Sequence, residues 1–241
     1  MEIQNSIAFV TGANRGVGKE YVAQLILGGA AKVYAGARNV DSLADVIAIN
    51  PDKVVPIKLD VTNSELIEKA AQQAQDVTLL INNAGSLTFG GALDITKDGL
   101  DRDMAVNLEG LHNMTRRFTP VLAANGGGTI VNMLSLLSFL SAPGFSGYNA
   151  SKAAAWSMTM SLRAYLAPKG IAILNAFPAG IDTDMLAGVD GPKDSAHDVA
   201  RDVLKAVIAG DEDVYPAMAA GVYEAWRQDQ KAVEASFAQM M

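Results

Sequence analysis

The stretch Ile7-Ala8-Phe9-Val10-Thr11-Gly12-Ala13-Asn14-Arg15-Gly16-Val17-Gly18 decides how the rest of the chain is read. An apolar run fits a short buried strand, three glycines follow closely, and Tyr21, Val22, Leu25 and Ile26 then recur at helical spacing. In a strand-turn-helix, glycine lets the backbone turn sharply, approach a pyrophosphate and bring the helix tight against the sheet. The helix N-terminus, with its free N–H groups and positive dipole end, then faces the anion. The expectation is the opening of a βαβ unit that cradles a dinucleotide. Glycines alone would also fit a turn without a ligand.

Working outward, short β-branched apolar runs recur at 7–10, 32–36, 54–58, 77–81, 129–134 and 171–177, with a weak last one at 213–215. Helical segments lie between them, the alternation of a parallel sheet buried on both faces. The fold class expected is α/β: a doubly wound Rossmann fold, seven parallel strands with helices on both faces, in one domain spanning 1–241. Helix ends are read from capping chemistry. Asp41 is expected to cap a helix ending at Asn50-Pro51, Thr62 and Glu65 to form a capping box, and Ser195 to open a helix closed by Gly210. A short substrate lid is expected around 181–210 and a helical tail over 217–241. Right-handed crossovers leave a crevice at the carboxyl ends of the strands.

Composition excludes several functions. The 241 residues carry 19 basic and 26 acidic side chains, a net charge of −7, and no cysteine. Disulfide frameworks, thiolate zinc sites, iron–sulfur clusters and a cysteine nucleophile are therefore out. An acidic pI near 4.8 with no basic stripe speaks against nucleic acid. No run approaches a membrane span and no secretory leader is read at the start, so a cytoplasmic protein is expected. His112 and His197 lack companions at metal spacing, and no metal is expected. Asp101 and Asp103 read as solvated helix charges.

The glycine pattern is TGxxxGxG, and with it the chain resembles the short-chain dehydrogenase/reductase family. Asn82-Asn83-Ala84-Gly85, Asn107, Ser135, Tyr148-Asn149-Ala150-Ser151-Lys152 and the stretch from Pro178 to Met185 match in order. The resemblance implies that Gly12, Asn14, Arg15, Gly16, Val17, Gly18, Asp60, Val61, Asn83, Ala84, Gly85, Tyr148, Lys152, Pro178, Gly180, Ile181 and Thr183 bind a nicotinamide cofactor. Asp60 is assigned to the adenine, although it could simply start the turn before Thr62. The family pattern Pro-Gly is replaced here by Pro178-Ala179-Gly180, which puts the carboxamide contact of that segment in question.

Cofactor choice rests on the end of the second strand. An acidic residue there would bind ribose hydroxyls and repel a 2′-phosphate. The chain instead reads Ala37-Arg38, and Arg15 offers a second guanidinium, so NADP(H) is expected. Taken alone, Arg38 would be a solvated loop charge.

Tyr148 and Lys152 are four apart and share a helix face. An ammonium beside a phenol favours the phenolate and makes Tyr148 usable as general acid in carbonyl reduction. Ser135, with Ser138 as competitor, would donate to the substrate oxygen. The resemblance gives Asn107 a helix distortion and a water relay to Lys152, where the residue alone reads as surface. By position Ser135, Leu136, Leu137, Phe145, Tyr148, Ala179, Met185 and Leu186 line the substrate pocket, with Ser86, Leu87, Thr88 and Phe139 nearby. The apolar lining points to a neutral hydrophobic ketone or aldehyde. The alternatives are β-ketoacyl-carrier-protein reduction, a hydroxysteroid-type or other alcohol dehydrogenase, and a non-catalytic NADP(H) sensor. A homodimer or homotetramer is expected. An apolar stripe of Val222, Trp226, Val233, Phe237 and Met240 is read as a contact with a neighbouring subunit.

Overall fold

Strands form where the apolar runs predict them. The computed structural model describes residues 1–239 and holds one sheet of seven parallel strands in the order β3-β2-β1-β4-β5-β6-β7. They are β1 Ile7–Thr11, β2 Lys32–Ala37, β3 Val54–Lys58, β4 Leu79–Asn82, β5 Gly128–Met133, β6 Ile171–Ala176 and β7 Asp213–Val214. Between and after them run α1 Gly16–Leu27, α2 Ala44–Ile47, α3 Ser64–Gln73, α4 Lys97–Met104, α5 Leu111–Ala124, α6 Ser146–Leu166, α7 Ala196–Ala209, α8 Ala219–Gln228 and α9 Gln230–Phe237.

Because side chains alternate along a strand, each strand feeds two cores. Ala8, Val10, Val33, Ala35, Leu79, Ile81, Val131 and Leu174 face α1 and α7. Phe9, Tyr34, Leu80, Ile130 and Ile173 face α3, α5 and α6. One register row above this second apolar layer the side chains turn polar. Asn82, Asn132, Asn175 and Asp213 are register partners on successive strands. Asn82 Nδ2 donates to Asn132 Oδ1 at 3.0 Å and to Thr115 Oγ1 at 3.2 Å, and Asn132 Nδ2 to Asn175 Oδ1 at 3.2 Å. Asn175 Nδ2 reaches Asp213 Oδ1 at 3.4 Å, where Arg163 also donates at 2.7 Å.

Two expected caps shift by a residue or two. Asn39, not Asp41, heads the 3₁₀ turn Val40–Leu43 that leads into α2: its side chain accepts from the Asp41 N–H. Asn63 caps α3 by accepting from the Leu66 N–H, because the Asp60 carboxylate, a stronger acceptor, has taken both the N–H and the hydroxyl of Thr62. Ser195 and Gly210 bound α7 as expected, Gly210 at φ +81°.

The 181–210 stretch divides in two. Its second half is α7, whose Val199, Ala200, Val203 and Val207 are buried core residues packed on α1. Only the first half, a loop from Ile181 to Asp194 with one 3₁₀ turn at Asp184–Leu186, stands outside the layers. It is pinned at its base, where Asp182 N–H donates to Asp194 O and Asp194 N–H to Gly180 O.

The tail has contacts within its own chain. Val222, Trp226, Val233 and Phe237 pack on this chain's own third cluster, around Leu134, Leu136, Leu140 and Phe177 at the carboxyl ends of β5 and β6. Met240 lies outside the described residues. Among these, no helix is long and apolar enough to cross a membrane.

Candidate active site

The glycine loop opens where β1 ends, beside β4, the point at which strand order reverses. Gly12 has φ +64° and Gly16 φ +52°, conformations that favour glycine. A Cβ on Gly18 would lie 2.1 Å from Gly12 O, so only glycine lets α1 close on the loop. Thr11 and Asn83 lash this loop to β4: Thr11 Oγ1 accepts from the N–H of Asn83 and of Ala84, and Asn83 Nδ2 donates to Thr11 O and Gly12 O. The Asn83 side chain is thus spent on shaping the loop.

What remains is a cradle of backbone at the N-terminus of α1. That geometry fits a pyrophosphate. The guanidinium groups divide. Arg38, at the end of β2, is exposed, and among the described residues no carboxylate pairs with it. Arg15 Nη1 is 2.7 Å from Asp184 Oδ2 in an exposed ion pair that ties the glycine loop to the 181–194 loop. The Thr183 methyl would lie 3.0 Å from a Cβ on Gly16, which brings that loop over the cradle. Asp60 uses Oδ1 to fix Thr62, the plainer of its two sequence readings. The Val61 side chain is buried against Gly110.

At the carboxyl end of β5, Ser135 is 6% exposed and its Oγ accepts from Leu137 N–H at 3.1 Å. Tyr148, on the first turn of α6, is half-buried, and burial pushes its phenol up to about 12. The nearby Ser135 hydroxyl pulls it back, and the Asp103 charge pushes it further up. Ser135 and Tyr148 therefore converge. The competitor Ser138 has a buried hydroxyl with no partner among the described residues and does not join this pair.

Lys152 is 4% exposed, and its Nζ donates to Met133 O at 2.6 Å. The ammonium stands 5.6 Å from the Tyr148 ring centre. Burial pulls it down to about 8, with Asp103 working the other way. Desolvation is the largest influence on both groups.

Asn107 lies in a π-helical turn, Ala105–Gly110, between α4 and α5, and is 1% exposed rather than a surface residue. Its Oδ1 accepts from Ser86 N–H, while Nδ2 donates to Ser86 O and to Ser151 Oγ. Ser151 in turn donates to Tyr148 O. Asp103, read from sequence as solvated, is 0% exposed. It accepts from Ser86 Oγ at 2.8 Å and from Thr88 N–H at 3.0 Å. A signal for it was available: Gly99, Asp103, Asn107 and Gly110 recur at helical spacing, so Asp103 shares the buried face of Asn107 whereas Asp101 does not.

The walls are apolar. Leu136 and Phe145 are buried, and Leu137, Ala179 and Leu186 half-buried. The Met185 methyl stands opposite Gly85, 3.7 Å from where its Cβ would be. Leu137, Phe139 and Ala179 also touch the cluster covered by the tail, so α8 and α9 back one wall of this space. Lys193 is bound to Leu186 O.

A family profile described as short chain dehydrogenase matches residues 6–193. A short-chain dehydrogenase from Burkholderia cenocepacia J2315, solved in complex with NADP, superposes with a TM-score of 0.92 at 40% identity, over 98% of this chain and 99% of that one. The NAD-dependent glycerol dehydrogenase of Listeria innocua is 33% identical over 86% of this chain and 81% of its own length. The 3-oxoacyl-[acyl-carrier-protein] reductase FabG of Thermotoga maritima is 32% identical over 77% and 78%.

Proposed function

The chain belongs to the short-chain dehydrogenase family, and from that premise we propose that it is an NADPH-dependent oxidoreductase that reduces a neutral, hydrophobic ketone or aldehyde to an alcohol. The observation that carries this reading is the convergence of Ser135 and Tyr148 beside the buried Lys152, under apolar walls. A bound reduced nicotinamide supplies the hydride. The glycine-loop amides would hold its pyrophosphate, Lys152 its ribose, and Arg38, unpaired among the described residues, its 2′-phosphate. The NADP complex of the Burkholderia relative supports that preference, while the NAD-dependent Listeria relative shows that family membership alone does not decide it.

Tyr148 starts as a protonated phenol, which burial favours strongly. Ser135 donates to the carbonyl oxygen and stabilises the charge that builds there. Tyr148 then gives its proton to that oxygen, with Ser135 favouring the phenolate left behind. Asn107, through Ser151, holds the helix turn that carries Tyr148. The 181–194 loop carries a single cation, Lys193, whose Nζ donates to Leu186 O, and so presents no basic patch for an acidic carrier protein. That distinguishes this reading from acyl-carrier reduction.

Following NADPH absorbance across a panel of neutral ketones, carboxylated ketones and a β-ketoacyl thioester tests it. Neutral substrates should lead in kcat/KM. A carboxylated or carrier-bound substrate leading by a large margin would overturn the pocket reading, and normal NADPH binding without any turnover would point to a sensor.

A further inference from the structure

We propose that Asp103 is a positioning residue of this active site: a buried carboxylate that fixes the wall formed by residues 86–88 and furnishes the negative charge facing the Tyr148–Lys152 pair. The inference deepens the reductase reading and depends on it only for the use made of that charge.

Asp103 lies in the last turn of α4 with no solvent exposure, and both its oxygens are engaged. Oδ1 accepts from Ser86 Oγ at 2.8 Å and Thr88 Oγ1 at 3.3 Å, and Oδ2 accepts from Thr88 N–H at 3.0 Å. One turn on, Asn107 grips Ser86 by both backbone groups. Two side chains of one helical face thus clamp the segment that leaves the Asn83-Ala84-Gly85 loop. Oδ2 also lies 3.3 Å from where a Cβ on Gly147 would stand, so the carboxylate abuts the residue before Tyr148.

Hydrogen bonding alone does not require a carboxylate there. An asparagine could set its carbonyl oxygen against the Thr88 N–H and donate its amide to the Ser86 hydroxyl, which then accepts. A buried charge costs several kcal/mol unless something offsets it. The offset available is the other buried charge: the Lys152 ammonium, whose one hydrogen-bond partner among the described residues is Met133 O. Asp103 raises the proton affinity of both Lys152 and Tyr148. Those two are the titratable groups that α6 sets toward it. The 86–88 segment brings only hydroxyls and amides, and Asp98, Asp101 and Arg102 on its own helix are exposed. The charge therefore holds the proton on Tyr148 until the substrate oxygen needs it, and keeps Lys152 cationic in a site that would otherwise strip it.

The test is Asp103→Asn, read by the ultraviolet absorbance of tyrosinate as pH is raised on the NADP-bound protein, with Tyr148→Phe subtracted as the blank. The Tyr148 titration should move down by about one pH unit. The alkaline limb of kcat/KM for carbonyl reduction should move down with it. If Asp103→Asn does not fold, Asp103→Thr, of similar volume and able to bond Ser86, gives the same reading. A titration that stays in place overturns the proposal, even if activity falls at every pH, since that is what a purely structural clamp would do. A titration that moves in a protein reducing no carbonyl upholds the proposal and removes the reductase reading instead.

Discussion

Arg38 and Arg15 were equivalent in the sequence, two guanidiniums at two expected places, and the fold separates them. Arg15 already has Asp184 at 2.7 Å, whereas Arg38 stands exposed and unpaired among the described residues. Arg38→Ala should therefore weaken NADPH binding by roughly one to two orders of magnitude, the worth of a hydrogen bond to a charged group, and leave NADH nearly unchanged. Arg15→Ala should cost less. Calorimetric titration with both cofactors decides, and equal losses for NADPH and NADH would sink the assignment. Lys152 carries a second prediction. Its folded value is pulled from 10.5 to about 8. The cost of burying the cation is therefore present in full below about 8, and fades toward 10.5 as the folded protein releases a proton that the unfolded chain still holds. Lys152→Met removes that cost, worth roughly 3 kcal/mol with the opposing pull of Asp103 already counted in it, less about 1 for the lost bond to Met133 O. At neutral pH it should raise the thermal midpoint, by a margin that shrinks as pH rises through that window. No change with pH would contradict the burial argument. What the sequence could not show at this scale was pairing: the motif names Tyr148, Lys152 and Ser135, but Asp103 and Asp184 act through contacts 15 or more positions away.

At the scale of elements, the strands were legible because their apolar runs are their cause. Ends were less so. Asp41 and Thr62 have the right chemistry to cap, yet Asn39 and Asn63 do it, since reach from the actual first turn and competition from Asp60 settle which side chain is free. The tail was legible as an amphipathic helix but not as to what it covers, because periodicity gives a face and no partner. Phe139 meets Trp226 with ring centres 4.8 Å apart and Trp156 at 5.9 Å, and Tyr215 stacks on Tyr223. Trp226→Ala should therefore destabilise this single chain by about 2 kcal/mol, given a partly buried aromatic. A chain shortened to end at Ala220 should lose stability and expose the wall that holds Leu137 and Ala179. Urea unfolding of both, alongside light scattering, checks this; a shortened chain of unchanged stability would return the stripe to the role of a subunit contact.

At the scale of the whole molecule, the asparagine row is the feature no motif announced. Asn132 and Asn175 are 0% exposed and Asn82 5%, each satisfied chiefly by its neighbours in the row. Asn132→Ala should leave the Asn82 amide and the Asn175 carbonyl without these partners and cost about 2–4 kcal/mol, read as a lower urea midpoint with unchanged slope. A loss under about 0.5 kcal/mol would mean that water replaces the side chain. The row has one more consequence. With both faces of the sheet apolar, hydrophobic patterning cannot tell a strand from the same strand slid by two residues, since the same faces would still be buried. Four polar side chains at a single level can be satisfied in only one alignment. They work as an index mark scored across β4 to β7, and the ends of these strands are where Ser135 and the loop before Ala179 begin. The spacing of the reacting groups is thus counted from the Asn82–Asp213 row rather than from the loops that carry them.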